Sequence, residues 1–299
     1  MSKIISLSLL FFVFQLFPKL AISSDVIMSY NVLCNVCNRN PQFLESWDQR
    51  KPHVFDVIEQ ESPDLLGLQE IYGSMFQDFT QKFSSYDFYS GTMTDETLSI
   101  SPPGLMNVVA YKKAKYRFIK GGSFRLSDQE NSTVPIWVDA YKRVCTWTEL
   151  ETKTDEPQRF KFLSCHLPIG NEGETKKSAQ KISTWIWSQN DSDLPHFVVG
   201  DFNASSFSSS IQYLIKPKNF FSNYIYPDKF TPMIDSLDEP KIDFVFRVGG
   251  KYAFSESYKT GQDAYSGIFR PSDHPAIVMR QNHRHYYNNS YYQFVDAGW

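Results

Sequence analysis

The stretch Val198-Val199-Gly200-Asp201-Phe202-Asn203 decides how the rest of the chain is read. Two β-branched residues in succession propose a buried strand, and Gly200 is expected to end it. Asp201 and Asn203, two apart, then fall in the first irregular residues beyond the strand, where a rigid sheet holds catalytic side chains at its rim. Hydrolysis of a phosphate ester needs such a pair. A carboxylate takes a proton from water or binds a cation, and a neutral donor holds a phosphoryl oxygen. An ordinary turn uses the same residue types, so the hexapeptide needs support from elsewhere in the chain.

With 299 residues, 41% hydrophobic and 16% aromatic, the chain can bury a large core. Neither an internal repeat nor a Pro/Gly/Ser-rich linker divides it, which predicts a single domain with long loops. Lys3 precedes an apolar run from Ile4 to Phe17 that is short for a membrane span, and Ala21-Ile22-Ser23 places small residues where a signal peptidase cuts. Residues 1–23 therefore read as a cleaved secretory signal, 24–282 as the folded domain, and 283–299 as an aromatic tail carrying His283 and His285. The expected product is a secreted monomer with no stable membrane span.

Removal of Lys3 and Lys19 takes the net charge from −3 to −5. A protein that grips long nucleic acid through many phosphates usually shows a basic excess, and this chain has none. A small phosphoester, a lipid head group or a short oligonucleotide fits the charge better.

Four cysteines in a secreted chain suggest two disulfides. Cys145 and Cys165 flank a candidate hairpin and are equidistant from Asp155 at its turn, so they can face each other across the strands. Cys34 and Cys37 have CxxC spacing without a second such pair, and read as a local bridge or as free thiols. Sequons begin at Asn131, Asn190, Asn203 and Asn288. The third falls on a candidate catalytic residue, where a glycan would block the site.

Taken in order, Val26–Leu33 reads as a strand, Trp47–Gln60 as a helix broken by Pro63, and Asp64–Glu70 as a second strand parallel to the first. Another helix follows near 74–83, then strands near 107–111 and 116–119, and a hairpin of Arg143–Glu151 with Arg159–Leu167. Helical periodicity over Glu172–Gln189 precedes the strand ending at Asp201, and Ile242–Val248 and Ala276–Met279 are the last strands. Two sheets packed face to face with helices outside accommodate this count. Asn31, Glu70, His166, Asp201, Asn203, Asp243, Asp273 and His274 all fall at or near strand ends.

Six segments, YNVL, GLQE, SCHLP, VVGDFN, IDFVF and PSDHPAIV, occur in the order and spacing of the endonuclease/exonuclease/phosphatase superfamily, which the chain resembles over nearly all of its mature length. Trp47–Arg50, Pro63–Glu70 and Arg143–Trp147 look like its secreted or bacterial-type branch, and the YNVL opening is also similar to nocturnin-type deadenylases. The resemblance implies a four-layer α/β/β/α sandwich of two mixed sheets and a Mg²⁺-dependent phosphoesterase, with Mn²⁺ as a substitute. It implies Glu70 as principal metal ligand with Asn31 and Asp273 nearby, and Asp201 as the group that orients or deprotonates the attacking water. Asn203 and His166 would contact phosphoryl oxygens. His274 would be the second essential histidine, its tautomer fixed by Asp243.

Asp243 and His274 lie 31 positions apart, and pairing of IDFVF beside SDHPAIV is expected to join them. Arg143 is a candidate phosphate contact, and Tyr111 either lines the site or belongs to the core. The substrate is expected to be a phosphodiester of nuclease type. A sphingomyelinase-like phosphodiesterase, a small-molecule phosphoesterase and a non-catalytic secreted effector on the same fold are the alternatives. The WxGDxNxR and PxWCDR motifs of inositol polyphosphate 5-phosphatases are absent.

Overall fold

A computed structural model describes residues 25–35, 37, 46–90, 106–126, 143–169, 172–189, 194–215, 231–232, 242–248, 256–260 and 271–280. In chain order these form β1 (Val26–Asn31), α1 (Trp47–Glu61), β2 (Leu65–Ile71), α2 (Gly73–Lys82), β3 (Tyr86–Tyr89), β4 (Met106–Lys112), β5 (Tyr116–Arg125) and β6 (Val144–Thr152). There follow β7 (Arg159–His166), α3 (Glu172–Ser188), β8 (His196–Asp201), α4 (Ser209–Ile215), β9 (Thr231–Pro232), β10 (Asp243–Val248), β11 (Glu256–Thr260) and β12 (Ala276–Arg280). The segments expected as a leader and an aromatic tail lie outside the described residues, as do Asn131, Asn190 and Asn288. Among the described residues, no helix is long and apolar enough to cross a membrane.

Two six-stranded sheets form, in the orders β11-β12-β1-β2-β4-β3 and β5-β6-β7-β8-β10-β9. Each is mixed, with a single parallel pair: β1 with β2, and β7 with β8. A parallel pair needs a crossover, and helices α1 and α3 lie in those connections. Three apolar clusters then define the layers. One joins α1 and α2 to the outer face of the first sheet, through residues such as Val54, Phe79, Met28 and Leu68. A second joins α3 and α4 to the second sheet through Ile182, Ile211, Val198 and Phe246. The third lies between the sheets and includes Ile27, Leu65, Val109, Phe162, Val199 and Ile277. The result is the α/β/β/α sandwich.

Strand alternation explains where polar groups emerge. On β8, Phe197 and Val199 face the inter-sheet core, and Asp201 is the next residue on that face. On β7, Phe160 and Phe162 are followed by Ser164 and His166 in the same way. On β1 the series is Ile27, Ser29, Asn31. Since β1, β7 and β8 end their inner faces in polar residues, one edge of the dry interface becomes a buried polar site.

Glycines set the spacing at two points. A Cβ on Gly67 would lie 2.2 Å from Val199 Cγ2 on the facing sheet, so the sheets approach closely just inside the site. Gly200, at φ 150, would place a Cβ 1.9 Å from the Cys165 carbonyl oxygen of the neighbouring strand. Gly200 therefore does not end β8, as expected from its turn-forming character. It lets the strand run on through Asp201, which pairs with His166 and Asp243.

Other boundaries also moved. β1 stops at Asn31 because Leu33 takes a left-handed φ of 54. Helix α1 ends on Ser62, left-handed at φ 46 just before Pro63, where the helical conformation is disfavoured. Strand β3, helix α4 and the edge strands β9 and β11 were not anticipated, being short segments with little periodicity of their own. The Cys145–Cys165 disulfide bridges directly paired residues of β6 and β7, and Cys34 is joined to Cys37.

Gly200→Ala should cost at least about 2 kcal/mol, because its methyl group has no room and its backbone region is unfavourable for L residues. Urea denaturation monitored by tryptophan fluorescence would measure it, and a change below 0.5 kcal/mol would contradict this account of β8.

Candidate active site

Asp201 is the centre of the polar edge. Its side chain is almost fully buried and has donors on both oxygens. Oδ1 accepts the Asn203 N–H at 2.8 Å, and Oδ2 accepts Asn31 Nδ2 at 3.0 Å from the other sheet. His166 Nε2 lies 3.3 Å from the same Oδ2, and His274 Nε2 lies 3.7 Å away. Burial alone would raise this carboxyl. The charge and bonding of His166, then His274 and the Asn203 N–H, outweigh burial and hold it well below the usual carboxylate range. Asp201 is therefore ionised and a weak base, suited to orienting a water by accepting its hydrogen bond.

His274 reaches the site from the other sheet. Its Nδ1 is 2.8 Å from Asp243 Oδ2. The two do not meet by strand pairing as expected: β10 pairs with β8 and β9, whereas β12 pairs with β1 and β11. They meet across the sandwich, from facing sheets, so their contact depends on the packing of the layers. Burial pulls the His274 ring down, but the Asp243 bond and charge, with Asp201 and Asp273 behind, raise it to about 10. Asp243 is raised to about 6, chiefly by burial, with the His274 bond opposing. At neutral pH the pair is an imidazolium facing a carboxylate.

Glu70 arrives by an irregularity. On β2, Leu66 and Leu68 point to the helix layer, and strict alternation would send Glu70 there too. Instead Glu70 has a left-handed φ of 63 and the β2/β4 register shifts between Leu68 and Ile71. This bulge brings its carboxylate to Asn31 Nδ2 at 3.2 Å and the Cys34 N–H at 3.0 Å. Asn31 thus spans Glu70 and Asp201, and its Oδ1 accepts the Leu33 N–H at 3.1 Å. Asp273 stands on the loop before β12, its carboxyl raised by burial first, lowered by His274, and raised again by Glu70 nearby.

Arg143 Nη1 approaches His166 Nε2 at 2.8 Å, which places it inside the site. That ring nitrogen can accept from Arg143 or donate to Asp201, and the tautomer decides which. Asn203, left-handed at φ 47, gives one Nδ2 hydrogen to the Leu167 carbonyl at 2.8 Å and keeps a second for a ligand. Tyr111 is not brought here. It pairs with Leu65 at the opposite end of β2 from Glu70 and packs in the inter-sheet core, where burial pushes its phenol up to about 12. Of the two readings, core is the correct one.

The sequence reading missed Ser272, whose Oγ donates to the Asn31 carbonyl at 2.7 Å and ties the His274 loop to β1. It also missed Asn107, buried at the site end of β4 with Nδ2 on the Val144 carbonyl at 2.7 Å, next to Arg143. A polar residue before an inward-facing Val109 and Tyr111 was the available signal.

Among the described residues, two groups of three or more His, Cys, Asp or Glu side chains have ligand atoms within 4.8 Å of one another: Cys34, Cys37 and Glu70, and Asp201, Asp243 and His274. The sulfurs of the first are tied in a disulfide, which leaves the Glu70 oxygens. In the second, a protonated imidazole has no lone pair to give. Glu70, with Asp273 nearby, offers the hard carboxylate oxygens that a cation such as Mg²⁺ accepts, whereas Asn31 turns its Nδ2 to Glu70 and its Oδ1 to the Leu33 N–H and so orients the carboxylate instead of adding an oxygen beside it. Asp273, raised by burial and further by the charge of Glu70, would also be relieved by a cation.

A two-sheet sandwich with carboxylates, amides and paired histidines at one edge is the architecture of a phosphoesterase. The Endonuclease/Exonuclease/phosphatase family profile matches residues 28–274, and the chain belongs to that family, whose members are generally divalent-metal-dependent phosphoester hydrolases. An endonuclease/exonuclease/phosphatase from Bacteroides vulgatus superposes with TM-score 0.70 at 20% identity, covering 87% of this chain and 99% of that one. The Bacteroides thetaiotaomicron mannosyl-6-phosphatase Bt3783 gives 0.65 at 20%, covering 85% and 98%. The human Nocturnin catalytic domain, with a bound sulfate anion, gives 0.64 at 15%, covering 86% and 92%. Curated protein sequences yield no match.

A histidine raised on folding adds stability that is complete below its ordinary value of 6.5 and is lost as pH climbs toward about 10. Asp243, raised by burial from 3.8 to about 6, subtracts stability over that acidic interval, so the alkaline loss belongs to His274. In metal-free protein, ring NMR should find His274 still protonated at pH 8, and Asp243→Asn should lower its midpoint by about 1–3 pH units. An unmoved midpoint would exclude the ion pair.

Proposed function

We propose that the chain is a secreted, Mg²⁺-dependent phosphodiesterase of nuclease type that hydrolyses its substrate by direct attack of water. The observation that carries this reading is the buried carboxylate of Asp201, which faces two histidines, with the separate carboxylates of Glu70 and Asp273 near each other. In this reading Asp201 orients the water. The His274 imidazolium, held by Asp243, and the Arg143–His166 pair donate to phosphoryl oxygens as charge develops, and the second Asn203 hydrogen adds a neutral donor. Glu70 and Asp273 would hold the cation, with Asn31 orienting Glu70 through its Nδ2, and the cation would supply charge neutralisation at the phosphoryl group. Secretion is supported by the leader-like residues 1–23 and by two disulfides.

Activity should vanish in EDTA and return with Mg²⁺ or Mn²⁺, while Glu70→Gln should raise the metal concentration needed for half-maximal rate. Full activity in EDTA would reject the metal. Against plasmid DNA, poly(A), sphingomyelin, inositol phosphates and bis-p-nitrophenyl phosphate, cleavage of DNA or RNA should exceed that of lipid, and cleavage confined to phosphomonoesters would overturn the diesterase reading. No cleavage of any substrate would favour the effector.

His274→Ala should lower the rate by about 10²–10⁴. Because Asp243 acts through His274, the double variant Asp243→Asn/His274→Ala should be little worse than His274→Ala alone. Multiplicative losses in folded variants would mean that the two residues act independently.

A further inference from the structure

Arg50 lies on α1 in the outer layer, yet it is only 1% exposed. Its guanidinium donates to three main-chain carbonyls. Nη1 reaches Val32 at 2.9 Å and Pro271 at 2.7 Å, and Nη2 reaches Leu33 at 2.8 Å. Val32 and Leu33 directly follow Asn31, and Pro271 directly precedes Ser272, Asp273 and His274. One side chain therefore holds both of the loops that feed the first sheet's half of the site.

The direction of the peptide planes gives this its chemical meaning. With Leu33 left-handed at φ 54, the carbonyls of residues 32 and 33 turn to Arg50. The N–H groups that follow them turn to the site, Leu33 to Asn31 Oδ1 at 3.1 Å and Cys34 to Glu70 Oε2 at 3.0 Å. A buried carbonyl left without a donor loses its hydration with nothing to replace it, which is unfavourable. Without Arg50 these peptide planes would gain by rotating to find other donors, and the two N–H groups would leave Asn31 and Glu70.

We propose that Arg50 is a positioning residue of the active site, whose three carbonyl bonds aim Asn31 and Glu70 and dock the Asp273–His274 loop against them. Only a planar fork can do this: a lysine ammonium is a point charge that cannot meet three carbonyls at these positions together. Burial pushes the guanidinium down, while Tyr30, Asp273 and Glu70 push it up, so its charge also lies within reach of the proposed cation ligands. The alternative is packing alone, since Arg50 also lies 5.6 Å from the Trp47 ring centre. The inference rests on Glu70 and Asp273 as cation-holding groups, and its test separates the two claims.

Arg50→Lys should fold, as judged by near-UV circular dichroism, and bind Mn²⁺ about 10- to 100-fold more weakly by calorimetry, the usual loss when a group that orients ligands is removed. At saturating metal its KM should match the wild type. Amide exchange at Leu33 and Cys34 should quicken in the metal-free variant. A folded variant with wild-type exchange at both amides overturns the proposal, as does wild-type Mn²⁺ affinity where the parent binds the metal. If the wild-type protein binds no divalent cation, the metal reading fails and the exchange measurement alone decides for Arg50. If the variant does not fold, the guanidinium resonances of Arg50 in the wild-type protein decide: movement on Mg²⁺ addition supports the proposal and no movement overturns it.

Discussion

The site depends on keeping one carboxylate ionised where it is almost fully shielded from bulk solvent. Burying Asp201 alone would carry a large desolvation cost, and the structure offsets it with donors drawn from both sheets. Asn31 and His274 belong to the first sheet's side, and His166 and Asn203 to the second. Each half supplies part of this set, so the full set of partners forms only when the sandwich closes. The spacing that permits this is itself written into the core, where Gly67 admits Val199 and Gln69 Nε2 reaches Ser164 Oγ at 3.0 Å.

Backbone strain is concentrated at the same edge. Leu33, Glu70 and Asn203 are three of the four described non-glycine residues with positive φ, and each is anchored by bonds at the site. Each such conformation costs on the order of 1–3 kcal/mol and persists only where its surroundings over-determine it. At Glu70 the strain has a visible product. It takes a carboxylate that alternation assigns to the helix layer and turns it toward Asn31.

Much of this was legible in sequence because strand alternation is a local property. The apolar runs ending in Asn31, His166 and Asp201 placed those side chains at strand ends, and parallel pairing of β1 with β2 brought Asn31 and Glu70 to one edge. The hairpin spacing of Cys145 and Cys165 was equally local, and the structure pairs them. Tyr111 was ambiguous for a physical reason: an inward tyrosine has the same periodicity at either end of a strand, and only the register with Leu65 places it away from the site. Arg50 gave no local sign of burial, since an arginine in a helix is ordinarily solvated.

The sequence by itself determined the inventory of chemistry, the period-2 faces that carry it and the layer order those faces demand. Tertiary structure decided the partnerships. Asp243 and His274 meet because their sheets face each other, although their strands never pair. Gly200 extends a strand because a neighbouring carbonyl leaves no room for a side chain. Sheet membership and positive φ are set by contacts between residues distant in the chain, and local periodicity holds no record of them.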